Sequence, residues 1–210
     1  GTAAVHARSV GDGAMSPLLA TTVGGLPVEV VEADAREVAL RDSPQTAALP
    51  RSGTSEGRQL RRWLTQLLVT ERVIAREAEA LGVTVTEATP DEQAVLPDLT
   101  ARLEIGSVAA AVLVDPLARA VYAEVTAPVD VDDETVADYH RRNPKRFAAN
   151  GTPVPGLHEV APAITALLRG AARRRAFRIW LEQRRAALVW LAPGYEHPGD
   201  PRQPDNTHKH

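Results

Sequence analysis

Residues 56–81, EGRQLRRWLTQLLVTERVIAREAEAL, decide the fold because they carry the clearest helical pattern in the chain. Apolar residues recur at spacings of three and four and form one stripe, while charged residues occupy the other faces. The stripe consists of Leu60, Trp63, Leu64, Leu67, Leu68, Ile74, Ala78 and Leu81, and the charged residues are Arg61, Arg62, Arg72, Arg76, Glu77 and Glu79. Gly82 follows as a residue type that commonly ends helices. The pattern predicts a long amphipathic helix that packs on one face.

Residues 159–188 carry a second long helical pattern, and we expect this helix to pack against the first. An arginine run lies beside its apolar face, at Arg173, Arg174, Arg175 and Arg178. Residues 189–191, Val-Trp-Leu, are predicted to form a closing strand. The apolar face consists of Ile164, Leu167, Leu168, Ala171, Ala172, Phe177, Trp180, Leu181 and Leu188.

Prolines mark the shorter elements between the two long helices. The sequence Thr89-Pro90-Asp91-Glu92 is typical of a capping box, which predicts a helix with Pro90 as its first residue and Pro97 near its end. Residues 107–124 are predicted to form one apolar helix with Pro116 inside it. The remaining predictions are a helix over residues 32–40, a loop over residues 41–57 and a helix over residues 133–143 that is capped by Asp132 and ended by Pro144.

A small β element completes the expected fold. Residues 22–31, TVGGLPVEVV, place β-branched residues around a Gly-Gly turn, which predicts a short strand or hairpin. The fold class is therefore mainly α, with a β element that joins residues near Val28 to residues near Val189. The expected organisation is a disordered or vector-derived leader at residues 1–22, a helical domain at residues 23–192 and a tail at residues 193–210.

Composition excludes several classes of site. The 210 residues include no cysteine, so disulfides, thiolate zinc sites and thiol nucleophiles are excluded. A net charge of -3 and an aromatic share of 4% argue against nucleic acid as a partner. No run of about eighteen apolar residues suggests a membrane span, and we expect a cytoplasmic protein. Only Lys145 and Lys209 are lysines among the 24 basic residues, which is typical of a GC-rich, actinobacterium-like genome.

Three segments in order resemble the SurA/PrsA group of chaperones. They are VGGLPV at residues 23–28, LLVTERVIAREAEALGVTVTE at residues 67–87 and VDVDDETVADYHRRNPKRF at residues 129–147. The last resembles the segment that leads into the parvulin prolyl-isomerase domain of that group, but only ten residues separate Phe147 from His158. The resemblance therefore implies a SurA N-domain-like helical cradle without prolyl isomerase activity.

The ending GYEHPGDPRQPDNTHKH, residues 194–210, resembles SurA-like accessory proteins of actinobacterial aromatic polyketide pathways. That resemblance implies a role in antibiotic-type biosynthesis. An acyltransferase role needs a Gly-x-Ser-x-Gly elbow that follows a core strand. The nearest approach, residues 53–57, lies in the predicted loop, so acyltransferase activity is not expected.

The tail concentrates residue types that bind metals or transfer protons. Imidazole and carboxylate groups are the ligands that zinc, manganese and non-haem iron take. We therefore consider a divalent metal at His197, Asp205, His208 and His210, or acid/base catalysis by His197, Asp200 and His208. The alternative is a polar, polyproline-type ending.

Candidate substrate-binding residues lie on the two long helices and the apolar helix between them. Trp63, Tyr122, Phe177 and Trp180 are core residues or line a groove between the long helices. Arg174, within the arginine run, is part of a solvated face or docks an acidic carrier protein or a polyketide carboxylate. His140 and the His158-Glu159 pair are caps or acid/base groups.

Two functions from different classes follow. The first is a natural-product biosynthesis protein that binds a hydrophobic or aromatic intermediate in the helical groove, with tail chemistry. The second is a chaperone-like module that binds a client polypeptide or a partner enzyme without isomerase activity. Ligand quenching of Trp63 or Trp180 favours the first, and suppression of aggregation favours the second.

Overall fold

The computed structural model describes residues 19–44, 46–148 and 153–191 of the chain. Helices dominate it, and a small antiparallel sheet is added, so the expected mainly α class is confirmed. The elements are β1 (Leu19–Val23), β2 (Leu26–Glu29), α1 (Val30–Arg41), a 3-10 turn (Thr46–Ala48), α2 (Ser55–Leu81), α3 (Glu92–Val95), α4 (Leu99–Ile105), α5 (Ser107–Val112), α6 (Pro116–Thr126), α7 (Asp133–Arg142), α8 (Leu157–Leu188) and β3 (Val189–Leu191).

The sheet has the order β2-β1-β3, with both pairs antiparallel. Gly24 and Gly25 join β1 to β2 with φ of 55° and 81°. Two positive φ values in a two-residue hairpin turn are costly for residues other than glycine, asparagine and aspartate. The expected β element is present, and β1 joins the strand of Val28 to the strand of Val189. β1 also begins at Leu19, inside the segment expected to be a leader.

Helix α2 lies at the centre of the molecule and is buried on most sides between Leu64 and Ala78. Its ends follow the local rules: the Thr54 side chain accepts from the Gly57 N–H, and Gly82 closes the helix in the left-handed conformation. The buried surface of α2 is wider than the single apolar stripe that the sequence predicted. Glu77, expected on a charged face, is 7% exposed and pairs with Arg184 of α8 at 2.8 Å.

Helix α8 returns along α4, α6, α7 and α2, and leads directly into β3. Its buried residues are Ile164, Arg174, Phe177 and Leu181. Arg174, Phe177 and Leu181 are three and four residues apart, so these three share one side of the helix. Arg174 thus stands among the buried residues rather than on the solvated face.

Two prolines differ from their predicted positions: Pro116 starts a helix instead of lying inside one, and Pro90 precedes a helix instead of starting it. Pro116 is the first residue of α6, and Asp115 caps it, so the single helix expected over residues 107–124 is two helices. Proline suits a first helical position because its missing N–H has no intrahelical acceptor there. Asp91, not Thr89, caps α3, so Pro90 precedes that helix.

The core joins α2, α5, α6 and α8. Val73, Leu113, Val121 and Phe177 are fully buried within it. Phe177 contacts Tyr122 edge-on with ring centroids 5.3 Å apart and stacks on Trp180 at 5.6 Å. This aromatic group fixes α8 against α6 and determines which face of α8 is turned away from the core.

Candidate functional site

The tail residues lie outside the described part of the chain. They are His197, Asp200, Asp205, His208 and His210, so their catalytic and metal-binding roles stay predictions. Within the described residues, no three histidine, aspartate or glutamate side chains come together as a metal-binding group. The same residues contain no helix with the length and apolarity to cross a membrane.

Two of the expected groove aromatics belong to the core. Phe177 is 0% exposed and Tyr122 is 5% exposed, and neither lines the two depressions along α8 that are described below. Burial raises the pKa of the Tyr122 hydroxyl, and the charges of Arg174 and Arg173 oppose that rise. The two rings therefore stabilise the fold and do not line an open groove.

The two tryptophans are half-buried and lie near the surface of the same core. Trp63 Nε1 donates to Ser107 Oγ at 3.2 Å, which ties α2 to the first residue of α5. Trp180 stacks on Phe177. Trp63 thus contacts a residue that lines the cleft between α5 and α8 described below, whereas Trp180 belongs to the core aromatic group.

Arg174 is a structural arginine. Its side chain is 8% exposed, and Nη2 lies 3.1 Å from Glu104 Oε2, while Nη1 donates to the Val95 carbonyl at 3.4 Å. These contacts join α8 to α3 and α4. This engagement leaves few donors of the guanidinium for a carrier protein or a polyketide carboxylate, so the contacts favour a structural role, and substrate binding by Arg174 stays a prediction.

A cleft of about 380 Å³ lies between the α4–α5 corner and the outer face of α8. We name it the arginine groove. Residues 105–109 form one side, and the other side consists of Arg178, Leu181, Glu182 and Arg185. Leu181 supplies an apolar floor because it is 4% exposed, while Arg178 and Glu182 stand at the rim.

Gly106 makes the corner that opens this groove. It closes α4 and begins α5 with φ of 91° and ψ of 153°. That region of backbone conformation is essentially restricted to glycine. The turn directs Ser107 and Val108 toward the same cleft as α8, so the local sequence Ile105-Gly106-Ser107 sets the shape of one wall.

Arg185 is the half-buried cation of the groove. It donates to Gln66 Oε1 of α2, and burial lowers the pKa of its guanidinium, which the nearby Glu182 charge partly restores. In the described part of the chain neither Arg178 nor Arg185 has an ion-pair partner at salt-bridge distance. The guanidinium of Arg185 is therefore bound by the neutral amide of Gln66, and the positive charges of Arg178 and Arg185 form no direct ion pair among the described residues.

A second depression, of about 350 Å³, continues the groove toward the N-terminal end of α8. Glu104, Ala171, Arg175 and Arg178 line it, and Arg178 is common to both cavities. Glu104 is already paired with Arg174. The two depressions are neighbours along α8, and Arg178 lines both.

The remaining candidates have structural roles. His140 Nε2 lies 2.9 Å from the Pro155 carbonyl, which holds α7 against the chain before α8. Glu159 accepts from the Gly156 N–H and so caps α8. Ser55, at the centre of the Gly-x-Ser-x-Gly letters, is the first residue of α2 and follows turns rather than a strand. None of these arrangements matches an acid/base pair or a nucleophile elbow.

The arginine groove was missed at the sequence level because its residues come from two distant segments. Arg178 and Arg185 are seven residues apart, which places them two turns apart on one helix face. The spacing is a local feature of the sequence, but no local pattern indicates that the corner at Gly106 lies opposite these arginines. Arg174, which was predicted to bind substrate, is the one buried arginine of the run Arg173, Arg174, Arg175 and Arg178.

The comparisons with known proteins are sparse. Residues 19–56, which span β1, β2, α1 and the segment leading into α2, match a family model described as "Family of unknown function (DUF7158)". No curated protein and no solved structure matches the chain. The match covers less than a fifth of the chain and excludes the arginine groove, so the groove is interpreted from its geometry alone.

Proposed function

We propose that this protein binds a hydrophobic, aromatic small molecule in the arginine groove. In this proposal it acts as a cytoplasmic, SurA-like accessory protein of a natural-product pathway, such as that of an aromatic polyketide. The observation that carries the proposal is the groove itself. Its volume of about 380 Å³ lies in the range of ligand pockets, and its floor is apolar with few polar groups at the rim.

The order of elements supports the SurA-like part of the proposal. A glycine hairpin precedes the long helix α2, and the return helix α8 leads into a strand that pairs with the first strand. The motifs that resemble the SurA/PrsA group fall on β1–β2, α2 and α7, in the same order. Only ten residues separate Phe147 from His158, so prolyl isomerase activity is not part of the proposal.

The proposed chemistry rests on the tail. His197, Asp200 and His208 would supply acid/base catalysis, or a divalent metal would bind His197, His208, His210 and Asp205, because these residue types suit either role. Binding in the groove is independent of that chemistry. The two parts of the proposal are therefore tested separately. Binding is tested by titration with an aromatic probe, and the tail chemistry is tested by removal of residues 194–210.

A second candidate function is binding of a client polypeptide or a partner enzyme, as in a chaperone module. The observation that favours it is the outer face of α4, where Leu99 is 69% exposed and Leu103 is 73% exposed. The two leucines are one turn apart and form an apolar strip next to the groove wall. Suppression of aggregation of a denatured test protein, lost in the Leu99→Ser/Leu103→Ser variant, would support this function.

Trp63 provides the readout for small-molecule binding, because it contacts Ser107 in the groove wall. The experiment uses the full chain with Trp180→Phe and Trp190→Phe, so that Trp63 is the only tryptophan. Methyl 2-naphthoate, a neutral aromatic probe, is titrated while Trp63 fluorescence is recorded. We expect saturable quenching.

Ser107→Phe serves as the blocking variant, because Ser107 is exposed and lines the groove. Thr100→Phe, at an exposed position of α4, is the matched control. Trp63 loses its serine partner in the blocking variant, so binding there is measured by equilibrium dialysis. The proposal predicts loss of binding in Ser107→Phe and normal binding in Thr100→Phe, and equal binding in both variants would contradict it.

A further inference from the structure

The wall of the arginine groove formed by α8 is cationic. Arg175, Arg178 and Arg185 face the groove and its extension, and Glu182 is the single carboxylate among them. Three arginines against one glutamate leave two net positive charges on this wall. Glu104, on the opposite side, does not reduce them because it is paired with Arg174.

Among the described residues, no carboxylate lies at salt-bridge distance from the half-buried guanidinium of Arg185. This guanidinium donates a hydrogen bond to the amide oxygen of Gln66, burial lowers its pKa, and the nearby charge of Glu182 offsets that lowering in part. A half-buried charge without a direct ion pair is stabilised when an anion binds to it. A ligand carboxylate beside Arg185 would supply that anion and form the strong, two-pronged hydrogen bonds that guanidinium favours.

Ser107 adds a directed donor to the same site. Its Oγ accepts the hydrogen bond from Trp63 Nε1 at 3.2 Å. A serine hydroxyl has one proton to donate and two lone pairs that accept. The contact with Trp63 occupies one lone pair, so the proton remains available to an acceptor in the groove that Ser107 lines.

We propose that the arginine groove is specific for aromatic carboxylates, with Arg185 or Arg178 binding the acid group and Leu181 and Val108 contacting the ring system. This inference rests on the proposed function, since it names the ligand class of the same groove. Arg178 and Arg185 are about 10 Å apart along the axis of α8, as expected for a separation of seven residues at 1.5 Å each. The site therefore suits an acid group at either end of a fused-ring body that lies along the helix.

The charge preference is tested with two probes that share one ring system, 2-naphthoate and methyl 2-naphthoate. Both are titrated by Trp63 fluorescence in the full chain with the other two tryptophans replaced. We expect the acid to bind about tenfold more tightly than the ester, as charge-assisted hydrogen bonds contribute roughly one factor of ten or more. The excess should fall as the salt concentration rises, because part of it comes from long-range attraction.

Arg185→Gln and Arg178→Gln identify the responsible residues, and Arg142→Gln on the exposed end of α7 is the matched control. Arg178 is exposed at the groove rim, so its variant tests the inference even if Arg185→Gln unfolds, which circular dichroism reports. Each single groove variant should lose part of the tenfold preference, the double variant should lose most of it, and all three should keep the affinity for the ester.

The outcomes separate the inference from the proposed function. Equal affinity of acid and ester, or an acid preference that survives both groove variants, would overturn the inference while the groove remains a binding site for apolar ligands. Binding of neither probe would overturn both. A preference that Arg142→Gln removes as effectively as Arg178→Gln would show a nonspecific effect of net charge and would also overturn the inference.

Discussion

Replacement of Phe177 by alanine tests whether the central aromatic group is core or binding site. The ring is 0% exposed, and loss of a buried phenylalanine side chain costs about 3–5 kcal/mol. Its contacts with Tyr122 at 5.3 Å and Trp180 at 5.6 Å place it in the upper part of that range, at about 4–5 kcal/mol. A chain of this size loses roughly 2–4 °C per kcal/mol, so the melting temperature should fall by roughly 8–20 °C.

The second phenylalanine of the chain is the matched control. Phe147 is half-buried and contacts Tyr139 with ring centroids 6.5 Å apart. Phe147→Ala should cost about 1 kcal/mol, in proportion to its smaller buried area. Thermal and urea unfolding measure both variants. If Phe177→Ala melts as close to the wild type as Phe147→Ala does, the assignment of Phe177 to the core is refuted. The conservative variant Phe177→Leu should leave probe affinity within about twofold because the ring does not reach the groove surface.

Three further predictions concern the helices, a titrating core residue and the tail. Leu67→Ala should cost about 2–5 kcal/mol in urea unfolding, while half-buried Leu168→Ala should cost less, and the reverse order would contradict the assigned faces. Burial raises the pKa of Tyr122 in the folded protein, so stability should be full below the unfolded pKa of about 10 and fall as pH rises through the raised folded pKa. The Tyr122→Phe variant should therefore lose less stability at alkaline pH than the wild type does. If the melting temperatures of the two proteins depend on pH in the same way, the contribution of Tyr122 is excluded. Removal of residues 194–210 should leave the far-ultraviolet circular dichroism spectrum and probe binding unchanged and should abolish the proposed tail chemistry. Full pathway activity of the truncated protein would count against that chemistry. Metal analysis of the full chain separates metal binding by the tail from acid/base catalysis.

Local signals in the sequence predicted most helix boundaries. Thr54, Asp132 and Gly82 each act as the cap that their residue type suggests. Apolar periodicity also located both long helices to within two residues of their ends. These features depend on neighbours along the chain, and the sequence contains that information directly.

Features that depend on distant segments were not predictable in the same way. The burial of Arg174 depends on Glu104, seventy residues earlier, and the burial of Glu77 depends on Arg184. Pro116 is a different case, because Asp115-Pro116 is a local start signal and the apolar pattern of residues 107–124 favoured one continuous helix instead. The groove depends on distant segments again, because Gly106 and Arg185 become neighbours only after α8 has packed.

The pairing of β1 with β3 has a consequence for synthesis of the chain. Thr21 donates to the Trp190 carbonyl across 169 positions, and the Gly24 N–H donates to the Leu188 carbonyl at 2.7 Å. On the ribosome, the hairpin therefore emerges long before its third strand, and one side of β1 offers unpaired N–H and C=O groups in the interval. Exposed strand edges readily pair with other chains. Among the described elements the sheet is completed last, so we expect the nascent chain to be prone to self-association until residues 189–191 have left the exit tunnel.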